Sequence, residues 1–180
     1  MRPRHLRVVL LVLPLLALGL PASGAKDPLL KYHPAAGDLP DLTVVDGSHQ
    51  HGAGEGLTQI YDGGYERYTR AGVKQASQRY YKLGGRTVEI VIHEMKSAPG
   101  ALKFFESFCK DTQAAAEPLK LGRKAGKVCA AGAEGSAFGY LVTGSWFVAS
   151  SVDKADPKAA RALLTVTGER LAGVKAPKKK

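Results

Sequence analysis

The residues best equipped for chemistry in this 180-residue chain lie between Asp46 and Glu55. Asp46, His49, His51 and Glu55 fall within a stretch that also holds Gly47, Gly52, Gly54 and Gly56. On an extended segment, side chains at i and i+2 point to one side, so His49 and His51 can face a common partner. Neutral imidazole combined with carboxylate is a donor set for zinc or copper, and that is the chemistry this stretch offers. A second set follows at Asp62, Gly63, Gly64, Tyr65 and Tyr68, with Tyr61, Tyr80 and Tyr81 nearby in sequence. Tyrosine presents an apolar ring with a polar tip, which suits the wall of a pocket for a sugar, lipid or peptide. The competing reading of these tyrosines is the edge of an amphipathic core.

Other signatures are incomplete. His93-Glu94 begins an H-E-x-x-H pattern, but Ser97 stands where the second histidine belongs. That segment also alternates like a strand, and the motif needs a helix to align its two ligands. Gly52, Gly54 and Gly56 precede a predicted helix without the Lys-Ser/Thr of a phosphate loop. No G-x-S-x-G elbow or Ser-His-Asp set is apparent, and nothing points to a cofactor. Cys109 and Cys129, an even count with no C-x-x-C spacing, are expected to form one disulfide rather than a redox motif.

The elements that must position these residues follow from periodicity. Residues 42–45 read as a short strand and 47–56 as a loop. Leu57, Ile60, Tyr61, Gly64, Tyr68 and Ala71 share one face of a predicted helix over 57–71, capped by Gly72. Gly63 and Gly64 within that helix would each cost on the order of 1 kcal/mol, so a close neighbour, most simply a strand, is expected there. Residues 73–82 and 86–95 read as strands joined by Leu83-Gly84-Gly85. In the second, Val88, Ile90 and Ile92 point one way, against a mixed face of Thr87, Glu89, Val91, His93 and Met95. A helix is predicted over 98–112 from a Ser97 cap, with Ala101, Leu102, Phe105, Phe108, Cys109 and Thr112 inward and Lys103, Glu106 and Lys110 in water. A polar connector follows over 113–124, then strands over 126–131, 136–142 and 146–152. The last helix begins at an Asp156 cap with Pro157 and ends at Gly173. Together these predict an α+β fold: an antiparallel sheet of about five to six strands with three helices packed mainly on one face.

Composition locates the chain. Arg2, Arg4 and Arg7 precede an apolar run over 8–20, and small residues end at Ala25. This predicts a signal peptide over 1–25, cleavage before Lys26, and a secreted or periplasmic protein. The run is too short and too interrupted to span a bilayer, and no later segment is long enough, so the mature chain is expected to lack a transmembrane segment. An irregular lead-in over 26–41, one domain over 42–174 and a basic tail over 175–180 complete the layout. The formal charge of +10 is deceptive. Three arginines of the signal and four lysines of the tail carry most of it, leaving +3 on residues 26–174. Nucleic acid is therefore not an expected partner. The lysine tail is a solvated end whose only expected contact is a weak one with an anionic surface.

Three segments resemble an uncharacterised family of secreted bacterial proteins, a domain of unknown function. Its members carry Y-I-N-G-G-A-E-x-Y-x-x-x-G, then a strand ending V-E-I-Y-x-M, then a helix with A-F-G-x-F. Here these read I-Y-D-G-G-Y-E-R-Y-T-R-A-G over 60–72, V-E-I-V-I-H-E-M over 88–95 and A-L-K-F-F over 101–105. The hairpin with Trp146 is also similar to the family's end. Asp62, Tyr65 and Leu102-Lys103 replace the family's Asn, Ala and Phe-Gly. The resemblance implies fold and export, not chemistry. The sequence therefore favours a non-catalytic binding or accessory module whose partner is a small ligand or an envelope protein. The alternative is a metal-binding protein or hydrolase using the His49/His51 loop.

Overall fold

The structure, a computed structural model, describes residues 27–173; the expected signal peptide, cleavage point and lysine tail lie outside them. Eight strands form one antiparallel sheet: β1 (Leu42–Val44), β2 (Gln50–Ala53), β3 (Val73–Leu83), β4 (Arg86–Met95), β5 (Glu117–Leu121), β6 (Lys124–Ala133), β7 (Ser136–Thr143) and β8 (Trp146–Val152). The order across the sheet is β1-β3-β4-β8-β7-β6-β5. β2 also pairs with β3, Gln50 opposite Gln78 and Ala53 opposite Gln75, beyond the stretch that β1 occupies. Two short strands thus share one edge. Ser48 closes the gap between them, its Oγ donating to the Val45 carbonyl at 2.6 Å and accepting from the Tyr80 amide at 3.1 Å.

The α+β class is as expected, and the strand count is higher. The two added strands lie in segments read as a loop and a polar connector. β2 is Gln-His-Gly-Ala, without a β-branched residue, so nothing in its composition announces a strand. β5 contains Pro118, which an edge strand tolerates because no second neighbour needs its missing N–H.

The helices are α1 (Tyr65–Arg70), α2 (Ala98–Asp111) and α3 (Pro157–Leu171), with 3-10 turns at Leu30–Tyr32 and Gly54–Gln59. The caps of the two long helices form as read. The Ser97 Oγ accepts from the Gly100 amide at 3.1 Å and Asp156 Oδ1 from the Ala159 amide at 3.0 Å. Their placement differs from the expectation, because α2 and α3 cover opposite faces of the sheet. Val88, Ile90, Ile92, Leu141 and Val148 pack with Ala160, Leu163 and Leu164 of α3. Val91, Met95, Tyr140, Val142 and Phe147 pack with Ala101, Phe104 and Phe105 of α2. The face read as mixed holds enough apolar surface on β4, β7 and β8 to bury a helix of its own. On the α3 face, Gly139 lets the helix lie close, since a Cβ there would meet Leu164 Cδ1 at 2.7 Å and Ala160 Cβ at 3.3 Å.

The predicted helix over 57–71 is broken. Gly63 and Gly64 have φ of +76° and +71°, and a Cβ on either would meet nothing within 4 Å. They form a left-handed turn that stops the 3-10 segment and starts α1, rather than a point of close approach. The lead-in is also more than a tether. Leu29 joins the α3-side core, and Asp38 accepts from Arg170 Nε of α3 at 2.8 Å.

Candidate functional site

Two polar constellations emerge, one on each face of the sheet. On the α3 face, His51 lies opposite Ser77 in the β2–β3 register, and His49 shares its side. Both imidazoles reach Asp27 of the lead-in: His49 Nε2 is 2.6 Å from Oδ2, and His51 Nε2 is 3.7 Å from Oδ1. Ser77 Oγ donates to Asp27 Oδ2 at 2.6 Å and accepts from His33 Nε2 at 2.9 Å. The Tyr81 hydroxyl lies 3.3 Å from His33 Nδ1 and 3.2 Å from the Pro34 carbonyl. His51 Nε2 donates to Gln75 Oε1 at 2.9 Å, and Gln75 Nε2 donates to Glu94 Oε2 at 2.6 Å.

The electrostatics match this wiring. Burial pushes the Asp27 carboxyl up, but hydrogen bonds from Ser77, His49 and the Leu29 amide, with the His51 charge, outweigh it and hold the group below its usual range. Burial lowers His33 to about 3 against the attraction of Asp27, so His33 is neutral and a single ring proton serves Ser77. The network fastens the lead-in to β2 and β3. Of the four residues read as metal ligands, the structure brings His49 and His51 together at Asp27. Asp46 and Glu55 are exposed on a turn and a 3-10 segment and do not join them. Among the described residues, no three His, Cys, Asp or Glu side chains are grouped so as to hold a metal ion. Asp27 and His33 went unread because they sit singly in a proline-broken lead-in, with no spacing to tie them to residues some twenty positions on.

On the α2 face, α1 and the turn before it pack on β4 and α2. The Tyr61 hydroxyl donates to His93 Nε2, whose Nδ1 donates to the Phe147 carbonyl at 3.1 Å. Burial drives His93 down to about 4 and pushes the Tyr61 hydroxyl well above its usual value, so the imidazole is neutral and the phenol keeps its proton. Tyr61 stacks on Tyr68 with ring centroids 3.6 Å apart, and Tyr68 meets Phe104 edge-on at 6.0 Å. Thus the segments 60–72, 88–95 and 101–105, which carry the family resemblance, meet at one corner. Of the five residues read as ligand contacts, Tyr68 is built into this corner. Asp62, Gly63 and Gly64 form an exposed turn before it, and Tyr65 is half-buried at the start of α1. Tyr81 does not belong to the tyrosine cluster, since it faces the α3-side core.

Between α1 and α2 this corner opens into a cleft of about 350 Å³, lined by Arg67, Arg70, Ala71, Gly100, Lys103, Phe104 and Ser107. Phe104, 7% exposed, is held edge-on by Phe108 and Phe147 and forms an apolar wall. Arg67, Arg70 and Lys103 are exposed, and among the described residues none forms an ion pair. No periodicity marks this site, because each cation lies on a face that its own helix offers to water. Behind the cleft, Cys109 of α2 and Cys129 of β6 form the expected disulfide, with Cα atoms 6.1 Å apart. Such a bond forms and persists in an oxidising compartment. Among the described residues, no helix is long and apolar enough to cross a membrane.

No sequence-family profile and no curated protein matches the chain. Among solved structures, it is similar to the extracellular domain of PknH from Mycobacterium tuberculosis, at 11% identity and a TM-score of 0.46, over 74% of this chain and 86% of that one.

Proposed function

We propose that the protein is a non-catalytic binding module of the secreted or periplasmic space, and that it holds a small ligand between α1 and α2. The observation that carries this reading is the cleft itself. It is a concavity with a fixed aromatic wall and three cations that have no carboxylate partner among the described residues. Concave sites with an apolar lining and a few convergent polar groups are where small molecules bind. The four described histidines are engaged elsewhere. His33 and His93 are buried and neutral, and His49 and His51 are bonded to side chains that anchor the lead-in. The disulfide supports work outside the cytoplasm, and membership of the secreted family that the three segments resemble is part of the same proposal.

Amide-resolved NMR against a library of neutral, cationic and anionic fragments tests the site. The expected shifts cluster in α1 and the first half of α2. Fragments that shift β2 and the lead-in while leaving α1 and α2 unmoved would defeat the reading in favour of the His49/His51 alternative.

A further inference from the structure

We infer that the ligand of the α1–α2 cleft carries a phosphate group on an apolar body; this names a ligand class for the site proposed above and rests on that reading. Arg67 and Arg70 lie one turn apart on α1, Lys103 lines the cleft from α2, and no Asp or Glu contributes to its wall. Five cations elsewhere sit in ion pairs, Lys74 with Glu94, Arg86 with Asp156, Lys127 with Glu106, Arg161 with Glu117 and Arg170 with Asp38, and Arg67, Arg70 and Lys103 are not among them. In the cleft three cations, unpaired among the described residues, converge on one concavity beside an apolar wall.

That arrangement works against the free protein. Like charges at i and i+3 repel, and α1 is a six-residue helix whose Gly64 N-cap supplies no side-chain hydrogen bond. An arriving anion reverses the sign of that interaction. Arg70 Nε is already engaged, donating to the Glu66 carbonyl at 3.2 Å, which orients the guanidinium and leaves its terminal nitrogens free to donate. Two guanidinium forks and an ammonium match an oxyanion better than a neutral polar group, and three positive charges exceed what one carboxylate neutralises. A phosphate monoester dianion neutralises two of the three and offers three terminal oxygens to the three donor groups. Beside the cations, the Phe104 ring and the Ala71 methyl form an apolar wall, and Gly100 adds no side chain to fill it. The volume lies at the small end of small-molecule pockets, leaving room for a compact apolar substituent beside the phosphate.

Calorimetry on the purified protein tests this with phenyl phosphate, inorganic phosphate and phenol, and with vesicles of phosphatidylcholine with and without phosphatidic acid. Phenyl phosphate is expected to bind more tightly than inorganic phosphate, phenol not to bind, and affinity to fall as salt rises. The triple variant R67Q/R70Q/K103Q changes only exposed side chains and relieves their mutual repulsion, so it should unfold no earlier than the parent while phenyl phosphate affinity drops about tenfold or more. Binding to phosphatidic acid vesicles beyond that to plain vesicles would identify the source as a lipid headgroup; binding to phenyl phosphate alone would identify a soluble organic phosphate. Equal phosphate binding by parent and triple variant would overturn the inference, as would no binding of any phosphate probe at millimolar concentration. If neutral fragments still occupy the cleft in that case, only the ligand class falls. If no fragment enters it, the binding-site reading falls with it.

Discussion

Beside the cleft the Tyr61 hydroxyl donates to the buried His93 imidazole. A buried acceptor left without its donor costs about 1–3 kcal/mol. Tyr61→Phe removes only the hydroxyl, so it should lower stability by that amount, seen as a lower urea midpoint at unchanged slope. A change under about 0.5 kcal/mol would show that this bond does not hold the α1 corner to β4. The two buried histidines also fix a pH response. In the fold His33 titrates at about 3 and His93 at about 4, against an ordinary value of 6.5. The unfolded chain therefore takes up protons first on acidification. The stability due to the neutral imidazoles is fully present above pH 6.5 and is lost between there and the folded-state values, by about 1 kcal/mol per pH unit for each ring. Asp27, held below its usual 3.8, adds a loss of the same sign at the acid end of the window. Unfolding midpoints measured from pH 8 to pH 4 should fall steadily below pH 6.5; a flat profile would mean that these imidazoles take up protons in the fold at the same pH as in the unfolded chain.

At the scale of elements, the bond between Cys109 and Cys129 ties α2 to β6 across a sequence separation of 20 residues. Closing a loop of that size is worth roughly 3 kcal/mol in the chain-entropy account. Edge strand β5 lies inside the loop, so reduction should lower the melting temperature and loosen β5 first in hydrogen exchange. Two titratable thiols in unreduced, denatured protein would show that the bond is absent. The two long helices were legible because their caps are local: Ser97, Asp156 and the prolines after them act within one turn. The hairpins β3–β4 and β7–β8 were legible because alternation and turn glycines are also local. β2 and β5 were not, since Gln-His-Gly-Ala and Glu-Pro-Leu-Lys-Leu become strands only through the neighbours that the fold supplies. The break in the first helix was written in Gly63-Gly64, but their positive φ depends on the turn they make and not on helical spacing.

At the scale of the molecule, a single antiparallel sheet carries a helix on each face and therefore two separate constellations. One fastens the lead-in at Asp27 and His33 to β2 and β3, and the other opens to solvent between α1 and α2. Half of the first was readable, because His51 on β2 and His49 just before it lie two positions apart; Asp27 and His33 reach them only through the tertiary fold. The second was readable in its tyrosines and not in its cations. Arg67, Arg70 and Lys103 look like ordinary solvated helix faces until α1 is laid against α2. The account's central claim is that this second constellation is where the protein meets its ligand. A crystal structure of the protein with phenyl phosphate at saturating concentration tests it most directly. The account predicts the phosphate between Arg67, Arg70 and Lys103 with the phenyl ring against Phe104. An empty cleft, with the phosphate bound elsewhere on the surface or beside His49 and His51, would contradict it.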